Sequence, residues 1–545
     1  MADIHRIGMY QGRIIDLVGA SSQPVQPTDP ATTYPQRWMY ASHGINPPLQ
    51  SHVADASHAT FVNSQSWVFG LTPDYPCSEF KWAFSNWWTL AAPVTAPDTP
   101  ENDGPNSITV SASVSFDSGA TWTSLTWSGS TTVVITGGSN AWCDTLTLPS
   151  PVSAARPIIR TVRTINAGET SPGAYRSFDA PETFPEQPRG GTFYTSSSVT
   201  NAAFLAGSYN PTANSYGTGA AGYGPSLALA RGGANGSGWD GRAVVSMHGD
   251  SIGYGTRGLS WLAKGVSDTD NGTLPCLPFA NFCVPSTRAS EQTGRGVGAY
   301  RRKAELIDSA SAFNAGNAAC CTGLLSQMGV NNATTNLSLW QSYQTAWWAF
   351  LRTLYTGPLP LTQTMLTPKV LPTTSNNTAF SSYPDMTPVT DARYELNTWT
   401  SAGRGSAGFP DHTIDATPAW VGPSTPADYS TRWKIPSPQF TATVHSDTAA
   451  SAASINLDRA PSYGMLLAVG VGTANVETIG VVSGITGNGP YNVTFNYGNN
   501  RMTKAHNVGE QVLQISTTDG LHPGAPITLD AAVYVREAKR AGHFI

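Results

Sequence analysis

The chain carries few charged residues for its length. Asp, Glu, Lys and Arg together make up 12% of the sequence, which is about half the share of a typical soluble domain. The formal net charge is −5, and the longest basic run is the short stretch Tyr300-Arg301-Arg302-Lys303. A nucleic-acid-binding surface needs a positive stripe that neutralises phosphates, so the sequence argues against nucleic acid as a partner.

Long apolar runs are also missing. No uninterrupted apolar segment approaches the length of a membrane span, which argues against membrane insertion. Residues 1–19 lack the continuous apolar segment of a secretory signal. We therefore expect synthesis in the cytoplasm of the producing cell, without a signal peptide.

Cysteine is scarce, with six residues in the chain. None forms a CxxC pair, and no His/Cys group has zinc-ligand spacing. Cys320 and Cys321 lie in an apolar run, where cysteine usually serves as a small buried hydrophobe. A disulfide between Cys276 and Cys283 is sterically feasible, but nothing in the sequence supports it.

Glycine and proline, in contrast, are abundant, with 53 and 40 residues. Together with Ser, Thr and Asn they indicate a chain rich in turns and β-strands.

A chain of 545 residues is too long for a single core, so we expect several domains. Residues 1–35 are expected to form an irregular N-terminal arm. Residues 36–185 read as a β-sandwich or jelly roll, and 186–240 as a linker that wraps a neighbour. The strands predicted in the sandwich include 108–116, 131–138 and 156–165.

From residue 241 the pattern changes to alternating strands and helices. The apolar run GRAVVSM at 241–247 is typical of a strand buried on both faces. Alternation of this kind predicts a parallel sheet with helices on both faces. Short strands separated by Gly, Pro and Asn occupy 441–516, and an amphipathic helix follows. A small all-β domain is therefore predicted to be inserted into an α/β domain made of 241–440 and 517–545.

Three short fragments carry residues suited to acyl transfer. Gly249-Asp250-Ser251 follows the first buried strand, Gly329-Val330-Asn331-Asn332 follows a later one, and Asp519-Gly-Leu-His522-Pro precedes the last helix. Functional groups collect at the carboxyl ends of parallel strands, so the first two fragments would share one edge and the third could reach it. Each of the first two alone is more typical of a turn, whereas all three in this order favour a site.

In this arrangement Ser251 is the candidate nucleophile. His522 would remove its proton, and Asp519 would orient the histidine and stabilise the imidazolium. The backbone N–H of Ser251 and the side-chain amide of Asn331 would hold the oxyanion, each donor contributing roughly 3 kcal/mol to lowering the barrier. No metal and no organic cofactor is needed.

These three fragments resemble the blocks of the SGNH (GDSL-type) hydrolases in residues and in order. The resemblance covers 241–440 and 517–545, and it implies a flavodoxin-like parallel sheet flanked by helices, with the roles given above. It also implies a second block at 281–289, which places Ser286 as a third oxyanion donor. Two residues depart from the family pattern: Asn332 stands where an Asp usually ends its block, and Ser286 stands where a glycine is usual.

Other candidates are weaker. His248, beside the Gly-Asp-Ser turn, is expected to pack or to support the site rather than to catalyse. Asp411-His412 and Asp415 imitate a second acid–histidine pair, but nothing in the sequence brings them near Ser251. His52 and His58 lack ligand partners. The aromatic stretch 81–88 could stack on sugar rings, although a role in the β-domain core is the better interpretation.

The inserted segment is similar to small β modules of bacteriophage tail and other virion proteins. This resemblance implies a virion location, on a phage tail or particle surface, or alternatively an extracellular one. The expected function is a serine esterase that removes O-acetyl or other acyl groups from a host cell-surface polysaccharide. Its expected partners are that polysaccharide and other virion proteins, and homo-oligomerisation is left open. The alternatives are an inactive structural or attachment virion protein, and a cellular carbohydrate or lipid esterase.

Overall fold

The computed structural model describes most of the chain. The described residues are 7–10, 13–16, 36–41, 50–53, 62–69, 72–89, 101–117, 119–155, 157–166, 168–173, 191–195, 223–254, 260–285, 287–295, 300–332, 334–367, 370–372, 386–388, 392–420, 440–462, 465–496, 502, 504–515 and 525–545. His58, Ser286, Asp519 and His522 lie outside them. Three parts are named here by residue range: the N-terminal β region (36–231), the α/β region (240–420 and 525–545) and the inserted β unit (440–515).

Strands dominate the first part of the chain. Their bounds are β1 Ile7–Tyr10, β2 Arg13–Asp16, β3 Met39–Tyr40, β4 Gln50–Val53, β5 Val62–Phe69, β6 Cys77–Ser85, β7 Trp87–Thr89, β8 Glu101–Asp103, β9 Ile108–Ser115, β10 Thr123–Ser124, β11 Val133–Ile135, β12 Asn140–Trp142, β13 Leu146–Val152, β14 Ile158–Ile165, β15 Thr170–Gly173, β16 Gly191–Thr195 and β17 Leu227–Arg231. The strands predicted at 108–116, 131–138 and 156–165 are confirmed as β9, a shortened β11 and β14.

Two antiparallel sheets form the body of the N-terminal β region. One has the order β10-β9-β14-β5-β16, with β11 also paired to β9, and the other has the order β12-β6-β17-β3, with β13 also paired to β6. Apolar side chains of both sheets, such as Val110 and Phe84, belong to one buried cluster. The aromatic stretch 81–88 contributes Trp82, Phe84, Trp87 and Trp88 to the buried residues, which supports the core interpretation.

Two predictions for this part need correction. The irregular arm predicted over 1–35 contains an antiparallel hairpin of β1 and β2. The linker predicted over 186–240 contains β16 and β17, and β17 pairs with both β6 and β3. The short sequence LALAR of β17 is flanked by Gly, Ser and Tyr, so local composition does not predict a strand here. Pairing with strands distant in sequence stabilises it.

The α/β region is built on a parallel sheet. Its strands are β18 Val245–Gly249, β19 Phe279–Asn281, β20 Gly323–Gln327, β21 Leu361–Thr364 and β24 His412–Ile414, with a separate hairpin of β22 Val370–Pro372 and β23 Met386–Pro388. Its helices are α1 Ser251–Tyr254, α2 Trp261–Ser267, α3 Ala289–Gln292, α4 Arg301–Ser311, α5 Leu337–Arg352, α6 Arg393–Gly403, α7 Thr417–Trp420 and α8 Ala525–Arg540. The sheet order is β19-β18-β20-β21-β24, and every neighbouring pair in it is parallel.

Both faces of this sheet are covered, which explains the continuous apolar run of β18. Val245 and Met247 face a cluster that includes residues of α2, α7 and α8. Val244 and Leu324 belong to the cluster that holds α4, α5 and the N-terminal β region together. Because side chains alternate along a strand, Ser246 and His248 face the same side as Val244. That side carries the cluster shared with the N-terminal β region.

The inserted β unit is an antiparallel sheet between β24 and α8 in the chain. Its strands are β25 Thr441–Thr443, β26 Ser454–Leu457, β27 Leu466–Val471, β28 Glu477–Thr486, β29 Tyr491–Asn496 and β30 Gln511–Ile515. Their order is β25-β30-β27-β28-β29-β26. An additional bridge between Val444 and Leu457 joins the two ends of this order, so the sheet closes on itself.

All six cysteines fall within the described residues and are free thiols, so Cys276 and Cys283 are not joined in this structure. Cys320 and Cys321 are buried as predicted, and burial raises the pKa of the Cys320 thiol to about 12. None of the described helices is long and apolar enough to cross a membrane.

Candidate active site

Ser251 occupies the turn that follows strand β18, which is an inner strand of the parallel sheet. β18 ends at Gly249, and α1 begins at Ser251. A Cβ atom on Gly249 would lie 2.4 Å from the carbonyl oxygen of Gln327 on the neighbouring strand, so only glycine allows this approach. Ser251 is 4% exposed. The Gly-Asp-Ser fragment therefore lies at a strand end, where the sequence predicted it.

Asp250 ties this turn to the loop that follows β20. Its backbone N–H donates to Gln327 O at 3.1 Å, and its Oδ1 accepts from the N–H of Ile252 at 3.0 Å. Burial raises the pKa of Asp250 to about 7, while hydrogen bonds from the backbone N–H groups of Ile252, Gly329 and Val330 act in the opposite direction. One carboxylate thus contacts both the nucleophile turn and the loop that carries Asn331.

Asn331 lies in a short 3-10 turn, Val330–Asn332, after strand β20. Gly329 precedes it with φ of 135°, a conformation that favours glycine, and a Cβ there would lie 2.3 Å from Gln344 Nε2. Nδ2 of Asn331 donates to the carbonyl oxygen of Thr287 at 2.9 Å. A side-chain amide has two N–H donors, and this bond uses one of them while it orients the group.

Asn332, the residue that departs from the family pattern, is buried and joins the same turn to the second block. Its Oδ1 accepts from the backbone N–H of Ala289 at 2.6 Å, and its Nδ2 donates to Ser290 Oγ at 2.8 Å. An aspartate here would accept the first bond but would not donate the second. The departure therefore changes the bonding to Ser290 and leaves Asn331 in place.

The second block runs beside the end of β18. Val284 N–H and Thr287 Oγ1 both donate to Gly249 O, at 2.9 and 3.2 Å. Ser286, the predicted third oxyanion donor, lies between them in the chain but outside the described residues. The structure thus joins Gly249, two residues before Ser251, to Asn331 through the flanks of Ser286.

Asp519 and His522 also lie outside the described residues, but the helix that follows them is described. Lys539, near the end of α8, donates to Val266 O at 3.1 Å and to Pro275 O at 2.8 Å, beside the end of α2. The carbonyl of Phe544 accepts from Thr322 Oγ1 at 2.8 Å, just before β20 begins. The carboxyl end of α8 is therefore at the amino edge of the sheet.

The opposite end of α8 points toward the nucleophile. A helix of 16 residues is about 24 Å long, long enough to cross the sheet from one edge to the other. α2 runs in the same sense, and its first turn is joined to α1 because Ser260 Oγ donates to Gly253 O at 2.7 Å. Ala525, three positions after His522 in the sequence, therefore begins α8 toward the edge that carries Ser251.

The weaker candidates have other placements or other partners. His412 begins strand β24, so Asp411-His412 is at the amino edge of the sheet, opposite Ser251. Asp411 accepts from the N–H of Leu361 and pairs with Arg352 at 3.0 Å, a structural role. Asp415 accepts from the N–H of Thr417 at the start of α7. His52 lies on β4.

The basic run 301–303 is engaged inside the molecule. Arg301 and Arg302 both bind the carboxylate of Asp103, at 2.9 and 2.6 Å, and Lys303 is buried beside Glu101. These acidic partners lie on β8 of the N-terminal β region, which a search for local motifs around 300 would not find.

Sequence reasoning missed several residues that organise the site. Gln327, at the end of the apolar strand β20, accepts from the N–H of Gly253 at 2.8 Å and so also links the two strand ends. Thr287 bonds both Gly249 and Asn331. The available signal was the presence of polar residues within or beside buried apolar runs, where each must find a partner.

Comparison with known proteins gives matches to solved structures at low TM-scores. No protein-family model matches the chain, and no curated protein matches it significantly. A Bacillus subtilis protein is similar over 64% of this chain and 68% of its own, at 9% identity and a TM-score of 0.24. A salicylyl-acyltransferase from a tetracycline biosynthetic pathway is similar over 75% and 92%, at 11% identity and a TM-score of 0.22.

A third structure is a carbohydrate acetylesterase from Xanthomonas citri. It is similar over 78% of this chain and 94% of its own, at 10% identity and a TM-score of 0.22. These identities are low, so the functional assignment rests on the residues of this chain.

Proposed function

We propose that this protein is a serine ester hydrolase of the SGNH type. The observation that carries the proposal is the adjacency of two turns at the carboxyl edge of a parallel sheet. Ser251 follows β18, and Asn331 follows the neighbouring strand β20. Hydrogen bonds from the Ser251 turn to Gln327, at the end of β20, join the two strand ends. Thr287, in the segment between the two strands, bonds Gly249 on one side and Asn331 on the other.

In the proposed reaction, Ser251 Oγ attacks the carbonyl carbon of an acyl ester while His522 removes the hydroxyl proton. Asp519 holds the histidine and stabilises its positive charge. The oxyanion accepts hydrogen bonds from the Ser251 backbone N–H and from the second N–H of Asn331 Nδ2. His522 then gives its proton to the departing alcohol as the ester C–O bond breaks.

The second half of the reaction returns the enzyme to its starting state. A water molecule gives a proton to His522 and attacks the acyl-serine, and the carboxylic acid leaves as Ser251 recovers its proton. Nucleophile, base and oxyanion donors are all side chains or backbone groups of the chain, so no cofactor enters the proposed scheme. Ser286 is kept as a further candidate donor through its backbone N–H.

For the substrate we propose an O-acetylated polysaccharide of a host cell surface, met by the protein on a phage particle. This part of the proposal rests on the sequence resemblance of the inserted β unit to virion modules, and on a chain with few charges and many Gly, Ser and Thr residues. Immunogold labelling of purified particles with an antibody to this chain tests the location separately from the chemistry.

The first test of the chemistry is acetate release from acetylated polysaccharide and from a small aryl acetate. We expect Ser251→Ala to lower kcat by about 10⁴-fold or more, and Asn331→Ala to lower it by about 100-fold, the effect of one lost oxyanion donor. The matched control is Ser342→Ala, which removes a serine hydroxyl from an exposed position on α5.

Equal activity of Ser251→Ala and wild type would contradict the assignment of the nucleophile. Folded wild-type protein that releases no acid from either ester would contradict the acetylesterase proposal, and the inactive virion protein would become the better interpretation. Activity on the aryl acetate alone would keep the serine esterase and reject the tested polysaccharide.

A further inference from the structure

A buried chain of hydrogen bonds lies behind the nucleophile turn. His248 Nδ1 is 2.6 Å from Tyr300 Oη, and His248 Nε2 is 2.9 Å from Ser246 Oγ. Ser246 Oγ is in turn 2.5 Å from Tyr355 Oη, which lies 3.4 Å from Tyr40 Oη. All five side chains are buried, and His248 is 0% exposed.

This chain connects parts of the molecule that are far apart in sequence. Ser246 and His248 lie on β18, and Tyr40 lies on β3 of the N-terminal β region. The backbone N–H of Tyr40 also donates to Cys320 O at 2.9 Å, just before β20. The ring of His248 stacks on Phe282, with centroids 5.4 Å apart.

A buried cation borders the same network. Lys303 Nζ lies 4.0 Å from the centre of the Tyr300 ring, 3.1 Å from Gln292 Oε1 and 3.8 Å from Glu101 Oε1. Burial, together with the charge of Lys303, lowers the pKa of His248 to about 3. A neutral imidazole has one donor and one acceptor nitrogen, which matches the two hydroxyl partners of His248.

We infer that His248 is a positioning residue, which together with Ser246 fixes β18 against Tyr300 and Tyr355 and so fixes the location of Ser251. The inference rests on the proposed esterase function. His248 precedes Ser251 by only two intervening residues, Gly249 and Asp250, and both are themselves hydrogen-bonded to neighbouring segments. A shift of His248 is therefore transmitted along a short and constrained backbone.

The inference changes the role expected for the N-terminal β region. Through Tyr40 and Glu101, this region supplies part of the packing behind the nucleophile strand. It is thus a component of the catalytic unit and more than an attachment module.

The test uses the full chain with Ser246→Ala and Tyr300→Phe, each of which removes one hydroxyl partner of His248. The matched control is Thr362→Val on β21, which removes a buried hydroxyl bonded to His543 O at 3.1 Å in the same sheet. We expect kcat on the aryl acetate to fall about 10- to 100-fold in the first two variants, because small misplacements of a nucleophile are costly. We expect KM in these variants, and both constants in the control, to stay within about twofold of wild type.

Amide hydrogen exchange gives a readout that needs no turnover. We expect Ser246→Ala and Tyr300→Phe to lower protection across 245–254 but not across 361–364, with the reverse for Thr362→Val. If the wild type is inactive, the proposed function fails, and the exchange pattern alone decides the inference.

Two results would overturn the inference. One is an equal loss of kcat in the control and the network variants, which indicates a general loss of stability. The other is wild-type kcat and unchanged protection across 245–254 in both network variants.

Discussion

The N-terminal β region and the inserted β unit are both turn-rich antiparallel structures, yet they relate differently to the parallel sheet. Buried side chains of the N-terminal β region, such as Phe84 and Trp127, belong to the same apolar cluster as Leu306 and Trp347 of helices α4 and α5. The main cluster of the inserted β unit, which includes Leu467, is made of residues 440–512 alone. The first region shares a core, and the second has its own.

The ionisable groups follow the same division. Glu101 of the N-terminal β region accepts from the backbone N–H of Lys303 at 3.1 Å, at the start of α4, and so reaches across into the α/β region. In the inserted β unit, His506 lies between Glu477 and Glu510, 2.7 Å from each, all within the unit. Two β regions of similar composition can therefore differ in whether they fold independently. Independent folding requires that the partners of a region's buried groups lie within the same region.

The largest effect is expected from a cavity in the shared core. Phe84→Ala removes a fully buried ring that contacts Trp127 and Tyr223, and we expect a loss of about 3–5 kcal/mol in the free energy of unfolding. Because the core is shared, esterase activity and near-UV circular dichroism should disappear in the same urea transition. Activity that survives the loss of the N-terminal aromatic signal would contradict the shared core.

A cavity in the inserted β unit should have a local effect. Leu467 is fully buried in that unit, and Leu467→Ala is expected to cost about 2–5 kcal/mol. We expect an early urea transition of the inserted unit, with kcat unchanged until a second transition. Val508→Ala, at a position that is 62% exposed, is the control and should change stability by less than about 0.5 kcal/mol. Loss of activity in the early transition would show that the unit is not independent.

A smaller effect concerns acid sensitivity of the α/β region. The rings of His543 and His412 stack with centroids 4.3 Å apart, and burial, followed by the neighbouring His412, lowers the pKa of His543 to about 4. The unfolded chain binds this proton near pH 6.5, so stability should fall as the pH drops from about 6.5 to about 4. Melting temperatures across this range should fall less steeply for His543→Gln than for wild type, and parallel curves would contradict the assignment.

The inserted β unit should show the opposite pH dependence, with the smallest effect. Burial alone would lower the pKa of His506, but hydrogen bonds to Glu477 and Glu510 raise it above its usual value. Its stabilisation is fully present below the unfolded pKa and is lost as the pH rises through the folded pKa. In Leu467→Ala, where this unit melts separately, its transition should move to lower temperature as the pH rises above about 6.5, the pKa of histidine in an unfolded chain. The same shift after adding His506→Gln would contradict this role.

Much of the architecture follows from local patterns in the sequence. The alternation of strands and helices after residue 241 predicted β18 and a parallel sheet with helices on both faces, because period and burial are local properties. The placement of Ser251 and Asn331 at one edge of a parallel sheet followed from the same alternation, whereas the direct pairing of β18 with β20 is known only from the fold. His522 and Asp519 stay predictions.

What could not be predicted depends on contacts between distant residues. The sequence around Arg301, Arg302 and Lys303 shows a basic run, and only the fold shows that Asp103 and Glu101 lie against it. Tyr300, which bonds His248, lies 52 positions from it in the sequence, and Tyr355, which bonds Ser246, lies 109 positions from that serine. Strand β17 was hidden for the same reason, since its stability comes from β6 and β3 rather than from its own composition.

The end of the chain gives the fold a particular order of assembly. Phe544 is buried in the cluster that covers one face of β18, and its carbonyl accepts from Thr322. During synthesis, β18 and α2 therefore emerge long before α8 and Phe544, which complete this cluster, and the whole inserted β unit is made in between. A unit with its own core can fold before the parallel sheet is complete. Its folding shortens the effective loop between the two parts of the α/β region. The inserted β unit thus lies where its folding would bring the two halves of the α/β region together.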